Sequence, residues 1–385
     1  MILRTAALSG LALLAVPAAA LALGPPPVAI SVGPGGQQAN GPSGGATMSG
    51  DNRNGRLAAF HSEASNLVGG DSNRVSDVFV YTRPSGFRAA GGSLSRVSLT
   101  NSGGQANGPS TNPSLDGRVL LGDGNRPPHC VAFQSEASNV NSSDRDKTSD
   151  IFVRDLAHGR TKLVSRGIGA AATNPSIDGS CKSIGFEAGG RVYVAKVGGS
   201  MKSLGSGHDI DLALDGKGVT WVSGGQVKLR RAGHTSTVAP GDNPTVSGLT
   251  KLSSGSRVWG VSFQTSANLV GRDHNAGADV YLRTLGAKGG VKKTDLISAF
   301  RRGAGSVGGD SENGGLTAFA AANGFVWFVN HDSSGSTLFY RNNNSGNIDD
   351  LVHTDALGDV ETSARGNFVV YTADRDVYLK SLGGK

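Results

Sequence analysis

Ala59-Phe60-His61-Ser62-Glu63-Ala64-Ser65-Asn66 returns as Ala132-Phe133-Gln134-Ser135-Glu136-Ala137-Ser138-Asn139, and Ser76-Asp77-Val78-Phe79-Val80 returns as Ser149-Asp150-Ile151-Phe152-Val153. Both pairs are separated by one offset of 73 residues (60 to 133, 77 to 150). A third copy, one residue shorter inside, runs Phe263-Gln264-Thr265-Ser266-Ala267-Asn268 and then Asp279-Val280-Tyr281-Leu282. Three copies at this fidelity are internal duplication, and each reads as a short apolar strand, a loop and a second strand.

Weaker units follow the same template. Residues 183–186 pair with 192–194, 219–222 with 227–229, 325–328 with 338–340, and 368–371 with 377–379, which makes seven units. Asn112-Pro113-Ser114, Asn174-Pro175-Ser176 and Asn243-Pro244-Thr245 announce a strand before the apolar one, since proline is tolerated at a strand's first residue. Asp116-Gly117, Asp178-Gly179, Asp215-Gly216 and Asn323-Gly324 read as two-residue hairpin turns joining those strands. A fourth strand closes most units, for example at 94–99, 161–165, 235–239 and 295–298. Four antiparallel strands recurring every 40 to 50 residues or so predict the blades of an all-β propeller. The seventh unit lacks a fourth strand, and Val28-Ala29-Ile30-Ser31-Val32 supplies one from the N-terminal side, closing the ring and covering the open sheet edges. The expected fold is therefore a β-propeller of seven four-stranded blades, with six as the alternative count.

Composition agrees. The chain has 59 Gly among 385 residues, and its 30 acids divide into 25 Asp and 5 Glu, a balance that suits turns and caps rather than helices. With 37% apolar residues and 13 Phe it can bury a core. Arg4 followed by an uncharged apolar run to Leu23, ending near Ala18-Ala19-Ala20, reads as a signal peptide over residues 1–24. Residues 25–385 then form a single propeller domain, secreted or periplasmic, with no stable membrane span after cleavage. A net charge of +7 is mildly basic. Its densest groups, Lys228, Arg230 and Arg231, and Lys288, Lys292 and Lys293 with Arg301 and Arg302, lack interleaved aromatics, so no nucleic-acid partner is expected.

The pattern Asp-Gly, Ala-Phe-x-Ser and Asp-Val-Phe-Val, with its Asn-Pro-Ser leader, resembles the TolB-type, WD-like propeller repeats of exported bacterial proteins. The resemblance spans essentially the whole chain after the leader. It implies a propeller used for protein interaction, without catalytic chemistry of its own.

Candidate chemistry is confined to a few places. The loop between second and third strands reads Asn66-x4-Asp71-x-Asn73-x3-Asp77, then Asn139-x4-Asp144-x-Asp146-x3-Asp150, then Asn268-x4-Asp273-x-Asn275-x3-Asp279. Such spacing wraps oxygen ligands around one point, as calcium loops do. Asp and Asn also cap their own backbone in turns, and loop architecture is the leading reading. No other cofactor is expected. The eight histidines show no zinc spacing. Gly41-Pro42-Ser43-Gly44-Gly45 and Gly303-Ala304-Gly305-Ser306-Val307-Gly308 match a nucleophile elbow and a dinucleotide fingerprint without the strand-to-helix context that either needs. Cys130 and Cys181 precede the second strands of neighbouring blades. An exported chain favours their pairing, whereas strands of separate blades can stand beyond disulfide reach.

The expected function is a monomeric binding scaffold for a protein or a cell-envelope or extracellular polymer, acting through the face that carries the long loops. The alternative is an extracellular carbohydrate-active hydrolase or lyase using Asp residues on that face. An enzyme should gather carboxylates and an Arg or His around the central channel; a scaffold should line it with Ser, Asn and Gly.

Overall fold

The computed structural model describes residues 24–51, 55–120, 124–299, 307–317, 324–342 and 345–382. The leader assigned to 1–24 lies outside them except for Gly24, as do Arg301 and Arg302, Asn323 of one turn signal, and residues 303–306 of the glycine-rich loop.

Seven antiparallel sheets form the ring, each built on four strands that follow sequence order in blades 1 to 6, with Thr250–Lys251 pairing in addition on the second strand of blade 5. Blade 1 is Ser43–Met48, Leu57–Ser62, Asp77–Thr82 and Ser93–Arg96; blade 2 is Ser110–Leu115, Cys130–Ser135, Asp150–Asp155 and Arg160–Leu163. Blade 3 is Ala172–Ile177, Ser183–Ala188, Arg191–Lys196 and Met201–Ser206; blade 4 is His208–Leu212, Gly218–Ser223, Gln226–Arg231 and His234–Pro240. Blade 5 is Asp242–Val246, Arg257–Thr265, Asp279–Gly286 and Val291–Leu296, and blade 6 is Asp310–Leu316, Phe325–Asp332, Gly335–Asn342 and Ile348–Thr354. Blade 7 takes Leu357–Thr362, Phe368–Ala373 and Asp376–Ser381 from the C-terminal side and Val28–Ala29 from the N-terminal side. The count is seven, and the N-terminal strand closes the last blade: Val28 pairs with Leu379 and Ala29 with Tyr378. Each innermost strand packs on the next around the circle and back to blade 1.

The core is divided among the seven junctions between blades. Phe60, Phe79 and Tyr81 of blade 1 pack on Phe368 and Leu379 of blade 7, while Ala59, Val78 and Val80 from the opposite side of the same strands pack on Val131 and Phe133 of blade 2. Successive side chains of a strand point to opposite faces, so a blade buried on both needs a continuous apolar run. That is why the second and third strands read as runs rather than as alternation. Aromatic pairs stack across these two strands in six blades, as in Phe133 on Phe152 (centroids 5.9 Å) and Phe328 on Phe339 (5.2 Å); blade 4 sets Trp221 opposite Lys228 instead.

Two local expectations change. The prolines of the Asn-Pro-Ser leaders sit inside the innermost strands, not at their first residue, beside a register shift. The preceding Asn112, Asn174 and Asn243 take φ of 46°, 52° and 47°, and Asp209 and Asp359 take 52° and 30° at the matching places. The bulge leaves that stretch unpaired, so the missing proline N–H costs no ladder hydrogen bond. The Asp-Gly pairs, in turn, are not two-residue hairpins. They open longer connections, in which the aspartate is a buried acceptor: Asp178 Oδ1 takes the backbone N–H of Ser180 (2.9 Å) and of Lys182 (3.0 Å), and Asp116 Oδ1 those of His129 (2.8 Å) and Cys130 (2.9 Å). Two-residue turns do occur between second and third strands in blades 3, 4 and 7, where Gly189-Gly190, Gly224-Gly225 and Asp374-Arg375 all have positive φ.

Cys130 and Cys181 are joined, with Cα atoms 6.0 Å apart, and tie blade 2 to blade 3. Buried arginines on third strands tie others: Arg154 Nη1 donates to the Leu99 carbonyl (3.1 Å) of the preceding blade's outer edge, and Arg341 Nη1 to that of Leu296 (2.8 Å).

Candidate functional site

The innermost strands bring a set of polar side chains onto the central axis. The ring nearest the long-loop face is Gly45, Asn112, Asn174, Asp209, Asn243, Asn313 and Asp359, one from each blade, and two residues deeper lie Thr47, Ser114, Ser176, Asp211, Thr245 and Glu361. Glu187 and His61 join from second strands. The channel thus holds five carboxylates and one imidazole together with Asn, Ser, Thr and Gly, a mixture of the two linings that sequence reasoning had opposed.

The carboxylates are hydrogen-bonded from blade to blade. Asp211 of blade 4 accepts Ser176 Oγ of blade 3 (3.1 Å) and the Val246 N–H of blade 5 (2.8 Å). Glu361 of blade 7 accepts Thr47 Oγ1 and the Met48 N–H (3.2 Å) of blade 1. Glu187 Oε1 takes the Asp209 N–H (2.9 Å), Asp209 Oδ2 takes that of Asn243 (3.1 Å), and Asp359 Oδ2 takes that of Gly45 (2.8 Å). Serines do the same elsewhere: Ser114 Oγ accepts the Ile177 N–H (3.1 Å) and Ser176 Oγ that of Leu212 (2.9 Å). In blades 2, 3, 4 and 7 the same position therefore caps a backbone N–H of the next blade, with Ser or an acid as the cap.

Enclosure raises Glu187, Asp211 and Glu361. Loss of hydration pushes Asp211 up to about 6 and Glu361 up to about 7; for Glu361 the charge of Asp211 adds to the rise, against the hydrogen bonds from Thr47 and Met48. Glu361 nevertheless keeps solvent contact along the channel. Burial lowers His61, against the pull of Asp359 and Glu63, and its Nδ1 has no hydrogen-bond partner. Gly45 (φ 63°) makes room for that ring: a Cβ there would lie 2.4 Å from His61 Nδ1.

The long-loop residues named from the sequence gather blade by blade, with one shared device. The last aspartate of each loop, Asp77, Asp150 or Asp279, binds the hydroxyl of a serine beyond the fourth strand, Ser98, Ser165 or Ser298, which in turn accepts a third-strand N–H (Ser98 Oγ from Val78 N, 3.1 Å). Half of that carboxylate is structural. Asn66 and Asn139 hold the incoming connector, each through an N–H of Asn40 (3.0 Å) or Asn107 (2.9 Å). The remaining oxygens differ. In blade 1, Arg96 Nη1 lies 3.1 Å from both Asp71 and Asp77. In blade 2, one oxygen each of Asp144, Asp146 and Asp150 lies within 4.8 Å of the others, and Asp144 Oδ2, buried, has no partner. In blade 5, Tyr281 donates its hydroxyl to Asp273 Oδ2, Asn275 gives its amide to the Val307 carbonyl (3.1 Å), and Asp273 Oδ1 and Asp279 Oδ2 are buried without partners. Burial, followed by the neighbouring Asp273, raises Asp279.

On the opposite face a cavity of roughly 1000 Å³ lies between blades 2 and 3 beside the disulfide. Arg160, Lys162, Lys182 and Lys196 line it, faced by Asp155, Asp178 and Asp215, so neither sign dominates. Sequence reasoning missed this cavity and the channel stitches, since both draw single residues from several blades.

No protein-family model and no curated protein matches the sequence. Among solved structures the chain is similar to TolB from Acinetobacter baumannii, at 14% identity and a TM-score of 0.40, over 67% of this chain and 65% of that one. It is also similar to a chain in a structure of the mitotic checkpoint complex, at 12% identity and a TM-score of 0.48, over 96% of this chain and 100% of that one. Likenesses this remote say nothing about function, and the fold rests on the seven sheets.

Proposed function

We propose that the protein is an exported, monomeric, non-catalytic binding module that engages a protein or a cell-envelope or extracellular polymer through its long-loop face. The observation that carries this reading is the use of the channel carboxylates: each gives at least one oxygen to a donor on another strand, mostly in the neighbouring blade, so the acids serve the ring. The binding face is uneven, because blades 1, 2 and 5 raise long loops where blades 3, 4 and 7 have two-residue turns. Among the described residues the exposed large apolar side chains are Phe87 and Val291, neither of them in these loops, so recognition there is by hydrogen bonds and charge.

The test is to replace the exposed loop residues Ser72, Arg74, Arg145, Lys147 and His274 by alanine, which leaves the buried Ala64, Leu67, Ala137 and Val140 of the same loops in place. Binding of the intact chain to a panel of envelope extracts and polysaccharides should be lost, with the circular dichroism spectrum kept. Unchanged binding would remove the long-loop face from the proposal. One feature favours a second reading: burial and the charge of Asp211 push Glu361 up to about 7, into the range that suits a general acid. A hydrolase or lyase would release soluble fragments from a polysaccharide, and Glu361→Gln would stop it.

A further inference from the structure

Three loops of one repeat have solved the same electrostatic problem differently. Each brings two aspartates together at the base of the second-to-third strand loop, and buried like charges at contact are unfavourable without a counter-charge. Blade 1 contains its counter-charge. Arg96, opposite Phe79 on the fourth strand, puts its guanidinium between Asp71 and Asp77, 3.1 Å from each. The residues in register with Arg96 are Leu163, opposite Phe152, and Leu296, opposite Tyr281. Blades 2 and 5 thus keep the acids and lack the arginine. The omission leaves a trace: Asp144 is 6% exposed and Asp273 3%, Asp279 is fully buried, and each has a carboxylate oxygen without any hydrogen-bond partner.

We infer that the loops of blades 2 and 5 each bind one divalent cation of the calcium class, and that Arg96 replaces the ion in blade 1. In blade 2 the ligands are Asp144, Asp146 and Asp150, whose nearest oxygens lie within 4.8 Å of one another. Oxygens bound to one calcium at about 2.4 Å are at most about 5 Å apart, so these three fit one coordination sphere. Asp150 can serve through the oxygen that Ser165 leaves free, and the exposed Asp146 leaves room for water to complete the shell. In blade 5 the ligands are Asp273 and Asp279, with Asn275 as a neutral oxygen. A site with so few carboxylates belongs to the weak, extracellular range, with dissociation constants of about 10⁻⁴ to 10⁻³ M. Calcium at those levels would fasten the bases of two loops of the proposed binding face. The cation sites rest on the buried acids and stand or fall apart from that face's partner.

Calorimetric titration of the whole, disulfide-intact chain with calcium chloride, after treatment with chelator, is the measurement. It should give two sites, and millimolar calcium should raise Tm by about 2 to 5 °C. Leu163→Arg and Asp144→Asn should each leave one site, Leu296→Arg should remove the other, and Arg96→Leu should add a third. Arg96→Leu gains binding, so misfolding cannot mimic its expected result. Absence of binding up to about 10 mM calcium, ten times the weak end of that range, overturns the inference. So does a wild-type stoichiometry other than two, or a stoichiometry that Leu163→Arg and Leu296→Arg leave unchanged.

Discussion

A single side chain in this ring answers to partners in another blade, and its chemistry is set there. Glu361 is one of only five glutamates, and nothing in its local sequence separates it from a surface acid. In the fold it faces Asp211 and is pushed from 4.5 up to about 7. A carboxyl whose pKa is raised on folding stabilises the folded state below the ordinary glutamate range, and that contribution is lost as pH rises through about 7. Because channel solvent screens the group, the loss between pH 5 and 8 should be about 1 kcal/mol rather than the ~3 of an unscreened rise. Scanning calorimetry should show Tm falling over that interval in the wild type and a flatter profile in Glu361→Gln; a wild-type Tm that climbs instead would contradict the assignment. The loop aspartates, by contrast, were legible one by one from their spacing. What the spacing could not reveal is Arg96, which lies 25 residues beyond Asp71 and meets it only when the fourth strand pairs with the third.

The innermost strand is where sequence signals needed reinterpretation. Asn-Pro-Ser marked these strands correctly in blades 2 and 3 and as Asn-Pro-Thr in blade 5, yet the three residues have separate tasks. Asn takes the left-handed turn of a bulge, Pro follows where the ladder is already broken, and in blades 2 and 3 the serine hydroxyl caps an N–H of the next blade, whereas Thr245 bonds Ser262 within blade 5. Left-handed geometry costs an ordinary L-residue about 1 to 2 kcal/mol, and Asn112 adds hydrogen bonds to Gln134 Oε1 (3.2 Å) and Asn174 Oδ1 (3.0 Å). Asn112→Ala should therefore lower unfolding free energy by about 2 to 3 kcal/mol, and Asn112→Gly by about 1, since glycine loses the bonds without the strain. Urea denaturation of the two variants measures the difference; equal losses would mean that φ at this bulge carries no strain.

Across the whole molecule, stability depends on closing the circle. Ile30 is 1% exposed in the junction between blades 7 and 1, its N–H reaches the Val377 carbonyl (2.8 Å), and Ser31 Oγ bonds Asp376 (2.8 Å) and accepts from Val377 N (3.0 Å). Removing residues 25–32 would strip blade 7 of its outer strand and uncover the edge of Asp376–Ser381. Burial of Ile30 alone is worth about 2 to 3 kcal/mol, so the truncated chain should melt several degrees lower and show light scattering that the full chain does not. An unchanged melting curve would mean that the N-terminal strand is not needed for closure.

The sequence alone determined the blade, with its four strands, their order and the N-terminal closure, and it favoured seven blades over six; the seven sheets decided the count. The blade and its closure follow from local patterning and from repetition, both of which survive in a linear text. The sequence also marked the three acidic loops, because their Asp and Asn residues recur at fixed spacing. Only the tertiary structure decided which acids have a counter-charge, which caps which backbone N–H, and that Cys130 reaches Cys181. A propeller builds its channel and its junctions from one or two residues per blade, brought together across tens to hundreds of residues of chain, and at those distances spacing along the sequence carries no geometry.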